Sequence, residues 1–294
     1  MRSVKRLEQF WHDLILTFPW AKDVNGAFVI CYPEIPMYPF NHAGDVNVNE
    51  DEAENLLNQV TEYFLSRGAP YACFRISPIT RPRSFTSFLE DHGFERKSEE
   101  SVMVFKGKHV EDKLNPGVEV REISESEIDV YDKPLLTSFE MPVEWKEGLD
   151  RFILEWIRKG GKCYLAHVEG KTVGTSASFS IEGTGGIFNV GTLKEYRRRG
   201  IGTTLTVHAV MDSINEGNDL HTLEAEKGGH PEQLYKEIGF EIDHTISYFV
   251  KNFKTKNKNR GKRKWVSKNT GRKETLKKRA SRKALRRRAA EKST

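Results

Sequence analysis

Cysteine is scarce in this chain: Cys31, Cys73 and Cys163 are the only three in 294 residues, far apart, with no CxxC or His-spaced pattern. That argues against a disulfide scaffold and against a zinc site, and a reducing cytoplasm is the expected compartment. Long apolar runs are lacking as well. No stretch approaches the roughly 18 residues a membrane helix needs. The opening MRSVKRLEQFWHDLILTFPW is interrupted by Glu8, His12 and Asp13, so it reads as an amphipathic helix and not as a leader. What the chain does have is length for two ordinary domains and a tail, with 37% hydrophobic and 11% aromatic residues.

The net charge of +5 conceals an asymmetry. Residues 251–294 hold 20 Lys and Arg against Glu274 and Glu291, a surplus of +18, which leaves 1–250 at −13. An acidic body carries a basic tail. Residues 254–272 are polar and basic, and disorder is expected there. Residues 273–292 have a helical pattern with a narrow stripe of Leu276, Ala280, Ala284 and Leu285. That stripe is slight for a membrane surface, and two readings stay open: contact with RNA or DNA through charge density, or a solubilising tail without further function.

In the body, helical spacing covers 5–17 and 51–67, strands are predicted at 26–32, 71–76 and 101–105, and a short helix at 84–92 ends on Gly93. After the turn Asn115-Pro116-Gly117 a strand is expected at 118–123, and helical pattern fills much of 125–159 with a break at Met141-Pro142. A hairpin turns at Glu169-Gly170-Lys171, and a second turn leads into a strand at 187–192. Strand, helix and strand follow at 221–225, 231–238 and 246–253. This order predicts an α/β (α+β) fold with mixed sheets, divided as 1–112, 117–253 and a tail at 254–294. FLEDHGFE at 88–95 and LYKEIGFE at 234–241 close the two parts in the same way, which points to duplication.

The chemistry starts at VGTLKEYRRRGIGTTL, residues 190–205. A strand ends near Thr192, a basic loop follows, and a helix begins near Gly202. Gly200 and Gly202 remove side chains where a ligand must approach, the helix start leaves N–H groups unpaired, and arginines suit phosphate. The segment therefore reads as a pyrophosphate site. A Rossmann turn would need the reverse glycine order in a parallel unit, and the loop lacks the GK[ST] of a P-loop.

At these residues the chain resembles the GNAT superfamily of acetyl-CoA-dependent N-acetyltransferases, over about 117–253. The first part resembles the same fold without the RxxGxG loop, a degenerate member of a tandem. The resemblance implies acetyl-CoA as cosubstrate, no metal, and an amine acceptor of unknown class. It assigns the pantetheine arm to Val190 and Thr192, and the pyrophosphate to Arg197, Arg198, Arg199, Gly200, Ile201, Gly202 and Thr203. Tyr235 takes the place of the general acid that protonates the leaving sulfur, whereas Leu89, its counterpart in the first part, cannot. The strand before the loop lacks the family's glutamate. Glu224 is the candidate base, with Glu226 and Glu140 as further carboxylates. Two functions are expected in competition: an N-acetyltransferase with direct attack by the amine, or a nucleic-acid- or ribosome-associated GNAT-fold binding protein with little turnover.

Overall fold

The computed structural model describes residues 2–108 and 110–253; the expected tail at 254–294 lies outside the described residues. The first half runs α1 (Arg2–Leu16), β1 (Ala21–Asp23), β2 (Phe28–Cys31), β3 (Asn41–Gly44), α2 (Ala53–Ser66), β4 (Tyr71–Ile76), α3 (Phe85–Asp91) and β5 (Glu95–Phe105). The second half runs β6 (Glu119–Glu122), α4 (Ile128–Ser138), α5 (Lys146–Arg158), β7 (Lys162–Val168), β8 (Lys171–Ile181), β9 (Thr184–Thr192), α6 (Ile201–Asn215), β10 (Leu220–Glu226), α7 (His230–Ile238) and β11 (Phe240–Asn252).

All eleven strands join one mixed sheet in the order β1-β2-β3-β4-β11-β5-β10-β9-β8-β7-β6. Apart from β6 at one edge, the order is symmetric about the central pair β11–β5. β3 and β4 are parallel in one half, as β9 and β10 are in the other. The closing strands have changed places: β11 lies between β4 and β5, and β5 lies between β11 and β10. Residues 1–253 thus pack as one unit, and the boundary expected at 112–117 falls in a connection within it.

Alternation along the central strands distributes their side chains to two helical layers. Val102, Val104, Ile246, Tyr248 and Val250 face α1, with Leu7 seated among them. Phe10, Leu14, Tyr131, Leu135, Ile153 and Trp156 of α1, α4 and α5 continue that layer over Ala177 and Phe179 of β8. On the opposite face α6 and α7 bury Leu205, Val207, Tyr235 and Ile238 against Met103, Leu223 and Ala225. Also on that face, α2 and α3 bury Leu56, Val60, Phe64, Phe85 and Leu89 against Phe74 and Phe249. The duplicated glycines end α3 and α7 alike, with Gly93 at φ +79° and Gly239 at φ +119°. The three cysteines are free and buried. Among the described residues no helix is long and apolar enough to cross a membrane.

Candidate active site

The sheet opens between β9 and β10. These strands pair only through Leu220–Thr222 against Thr184–Gly186, then diverge, so from Ile187 onward the β10-facing edge of β9 is left without a neighbouring strand. β9 also carries a bulge: Ala177 pairs with Phe188 and Thr175 with Gly191, so Asn189 and Val190 together oppose Ser176 alone. Asn189 has φ +53°, and its carbonyl accepts a hydrogen bond from Thr175 Oγ1 at 3.0 Å. A bulge turns backbone groups out of the ladder. Here it sits at the mouth of the wedge, at the residue pair containing Val190.

Beyond Thr192 the chain makes a short turn over Lys194–Tyr196 and enters the loop Arg197–Gly200. Arg198 at φ +67° and Gly200 at φ +75° fold that loop back onto the start of α6. Thr204 N is the first helical donor to find its partner, Gly200 O at 2.9 Å. The N–H groups of Ile201, Gly202 and Thr203 therefore lie in the unpaired first turn, where the helix dipole is also positive. A methyl group added at Gly202 would meet only Leu234 Cδ2 at 3.4 Å and Thr192 Oγ1 at 3.8 Å, ordinary contacts. The space in front of Gly202 is thus not filled by the protein itself. The three arginines divide their tasks. Arg197 donates to the carbonyls of Thr192 and Ser138, both at 3.1 Å, and ties the loop to β9 and α4. Arg198 Nη1 lies 3.0 Å from His230 Nε2 at the start of α7, and Arg199 stacks over Tyr196.

The matching region of the first half is closed. Arg81 N donates to Val46 O at 2.8 Å, and Val48 N to Arg81 O at 3.3 Å, bridging the gap beside β3 and β4. The residues leading into α2 are Asn49-Glu50-Asp51-Glu52, and Glu52 folds back to accept the Asn49 N–H at 2.9 Å. An acidic capping box occupies the donors an anion would use, and its charge repels phosphate.

On the α1 side the wedge leads into a cavity of about 340 Å³. Asn189 and Val190 of β9 and Glu224 and Glu226 of β10 line it from the sheet, and Tyr235 of α7 lines it as well. Burial pushes the Tyr235 phenol above its ordinary value. The floor also includes residues from the first half. Glu100 pairs across the strands with Glu226, so the exchanged strand β5 delivers a third carboxylate beside the two of β10. Arg75 of β4 donates to Glu8 of α1 through both terminal nitrogens, at 2.6 and 3.1 Å, and to Glu224 Oε1 at 2.6 Å. His244 Nε2 donates to the same Glu8 at 2.9 Å. Burial works against the Glu8 charge, yet Arg75 and His244 hold its carboxyl down to about 2. Burial pushes Glu224 upward, with Arg75 pulling it back. Glu100 is raised well above the carboxylate range by burial and by the Glu224 charge. His42, which also lines the cavity, is held near 3 by burial and by Arg75.

Of the residues expected from sequence, Tyr235, Glu224 and Val190 thus meet at one cavity, and Arg197 to Thr203 form the loop and helix start at the end of β9. Glu140 follows α4 at φ +54°, exposed, and does not line the cavity. Glu8, Arg75 and Glu100 had not been anticipated. Two signals were available: a glutamate on the apolar stripe of α1, and an arginine inside the apolar run YACFRI. Glu100 gave none, since its segment ERKSEE reads as polar surface.

Residues 159–242 match the model of the acetyltransferase (GNAT) domain family. No curated protein matches the chain. Among solved structures, the chain is similar to a GCN5-related N-acetyltransferase from Kribbella flavida, with TM-score 0.63 and 16% identity over 84% of this chain and 95% of that one. It is also similar to a GCN5-related N-acetyltransferase from Sphaerobacter thermophilus, with TM-score 0.59, 19% identity and coverage of 77% and 76%. A tandem GNAT protein from the clavulanic acid biosynthesis pathway aligns with TM-score 0.56 and 11% identity, over 77% of this chain and 78% of that one. At these identities the structures speak to the fold. Residues 159–242 thus match the GNAT acetyltransferase domain family, within a fold that the chain shares with GNAT proteins.

Proposed function

We propose that the protein is an N-acetyltransferase that moves the acetyl group of acetyl-CoA directly to an amine, with one working site formed in its second half. The observation that carries this reading is the wedge between β9 and β10, flanked by a free helix start at one end and by Tyr235 with a carboxyl cluster at the other. The chain is a duplication, divided at 1–112 and 117–253, whose first half supplies structure and side chains but no cosubstrate site.

The residues fit acetyl-CoA in position and chemistry. Val190 at the bulge and Thr192 at the strand end offer backbone to the pantetheine arm. Arg198, Arg199, Gly200, Ile201, Gly202 and Thr203 hold the pyrophosphate, with Arg197 bracing the loop. When bound, acetyl-CoA supplies an acetyl thioester; in the transfer a C–N bond forms and the C–S bond breaks. The protein's part is to move protons. The acceptor ammonium gives one proton to the carboxyl cluster, where Glu224 acts as the base, and that proton passes to water. The Tyr235 hydroxyl gives its proton to the departing sulfur, and the second amine proton restores the phenol. A phenol held above its ordinary value stays protonated until a strong base such as a thiolate forms beside it.

Acetyl-CoA is expected to raise the thermal midpoint, since a ligand bound only by the folded state adds about 2.7 kcal/mol at a hundred times its dissociation constant. Gly202→Val fills the space in front of the helix start and should abolish that shift while leaving the unliganded midpoint nearly unchanged. An undiminished shift in the variant would place the cosubstrate elsewhere. Calorimetric titration should give one acetyl-CoA per chain, because the Val46–Arg81 bridge and the Asn49–Glu52 capping box close the first half. Two equivalents would refute the single-site assignment.

A further inference from the structure

From the two unlike linings of the cavity we infer that the acetyl acceptor is a primary amine carried on a bulky apolar body, aromatic or of similar size, with its ammonium received by Glu224 and Glu226. The inference rests on the transferase reading and adds the chemical class of the substrate.

The wall comes first. Phe40 before β3, Phe139 after α4, Phe152 and Trp156 of α5, and Phe188 of β9 line the cavity with aromatic rings, and Trp11 of α1 joins them to the carboxylate cluster, its ring 5.4 Å from the Arg75 guanidinium. They hold each other in place. Phe40 meets Phe152 edge-on with centroids 4.7 Å apart, Trp156 meets Phe188 at 4.9 Å, and Trp11 meets Phe188 at 5.4 Å. A polyhydroxylated amine such as an aminosugar would leave its hydroxyls unpaired against such a wall. A polyamine would press a second cation into it. An aromatic body would instead find ring edges and faces in the arrangements that rings prefer.

The charge on the floor selects the amine. Among the lining residues the cationic side chain is Arg75, and its terminal nitrogens are already taken by Glu8 and Glu224. His42 stays neutral, held near 3 by burial and by Arg75. Glu100 and Glu226 stand opposite each other across β5 and β10 with no ion pair to Arg75. Burial and the neighbouring Glu224 favour the uncharged form of Glu100, so the surplus negative charge of the floor rests on Glu224 and Glu226, and an ammonium would balance it. Tyr235 lines the same cavity as these carboxylates, so an ammonium held by them shares that cavity with Tyr235. Size sets the remaining limit: about 340 Å³ lies at the small end of ligand pockets.

The test is titration of the full chain with simple probes, followed by the quenching of tryptophan fluorescence, since Trp11 and Trp156 line the wall. The probes are 2-phenylethylamine, 2-phenylethanol (same ring, no ammonium), ethylamine (ammonium, no ring), spermidine and glucosamine. 2-Phenylethylamine should bind at least about tenfold more tightly than each of the others. Glu226→Gln should weaken 2-phenylethylamine severalfold and leave 2-phenylethanol unchanged. Phe152→Ala should weaken both ring compounds and spare ethylamine. Spermidine or glucosamine binding as tightly as 2-phenylethylamine, or ring compounds gaining nothing over ethylamine, overturns the inference. Release of CoA thiol, measured in parallel, separates the two readings. Selective binding of 2-phenylethylamine without release sinks the transferase and leaves the acceptor class standing. Release with glucosamine or spermidine alone does the reverse.

Discussion

Replacing Tyr235 by Phe lowers kcat by roughly 10²–10⁴ and leaves the affinity for acetyl-CoA almost unchanged. The substitution removes one hydroxyl and hardly any volume from a side chain packed between Phe240 and the rest of the α7 core. The ring contacts survive, so the fold and the cosubstrate cleft should as well. What goes is the proton proposed for the departing sulfur, whose loss would affect the chemical step and not binding. Steady-state release of CoA thiol, together with the thermal shift produced by acetyl-CoA, checks both halves of the statement. Full activity in the variant would remove Tyr235 from the chemistry. A lost thermal shift would mean that the ring, not the hydroxyl, is what matters.

Replacing Arg75 by Met should be the most damaging change to stability. Arg75 and Glu8 are 2% and 1% exposed, and Glu224 is 10% exposed. Removing the guanidinium strands two carboxylates where water cannot reach them freely, a loss of about 3–5 kcal/mol for a buried pair broken from one side. For a chain of this size that corresponds to a fall in Tm of roughly 6–20 °C. The double variant Glu8→Leu with Arg75→Met takes away one stranded charge and should recover part of the loss. If the two single effects simply add in the double variant, the cluster does not work as a unit. The same pair sets a pH window. Glu8 is held down to about 2 from an ordinary value of 4.5, so its contribution is complete above 4.5 and fades as the pH falls toward 2. Acid unfolding of the wild type should steepen across that range. In Glu8→Gln, already weakened at neutral pH, that part of the acid sensitivity should be missing.

The elements of the proposed cosubstrate site are legible in the sequence because each is local. The turn at 169–171, the glycines of RRRGIG and the C-cap at Gly239 constrain the backbone over a few residues, and those constraints hold in any surroundings. The strands at the centre of the sheet were read only in part. β5 was expected at 101–105 and begins at Glu95; β11 was expected at 246–253 and begins at Phe240. The missing portions, ERKSEE and FEIDHT, carry few apolar residues. They are strands because they lie antiparallel to other strands, a fact of tertiary pairing that no short window contains. The acceptor end was hidden for the same reason. Glu100 reaches Glu226 and Glu224 only because β5 crosses into the other half, and Arg75 meets Glu8 from 67 residues away.

The exchange of β5 and β11 also bears on how the chain is made. β4 and β5 are finished early in synthesis, yet the strand that belongs between them is the last part of the second half to leave the ribosome. Until it arrives, the first half has two open sheet edges and cannot finish folding by itself, so nearly the whole body must be emitted before the centre of the sheet forms. Such pairing, distant in sequence, makes for slow folding. Residues 1–112 expressed alone should accordingly collect in the insoluble fraction, and co-expression with 113–294 should bring them into solution. A polypeptide wired in this way matures as a whole, with its two halves serving as templates for each other.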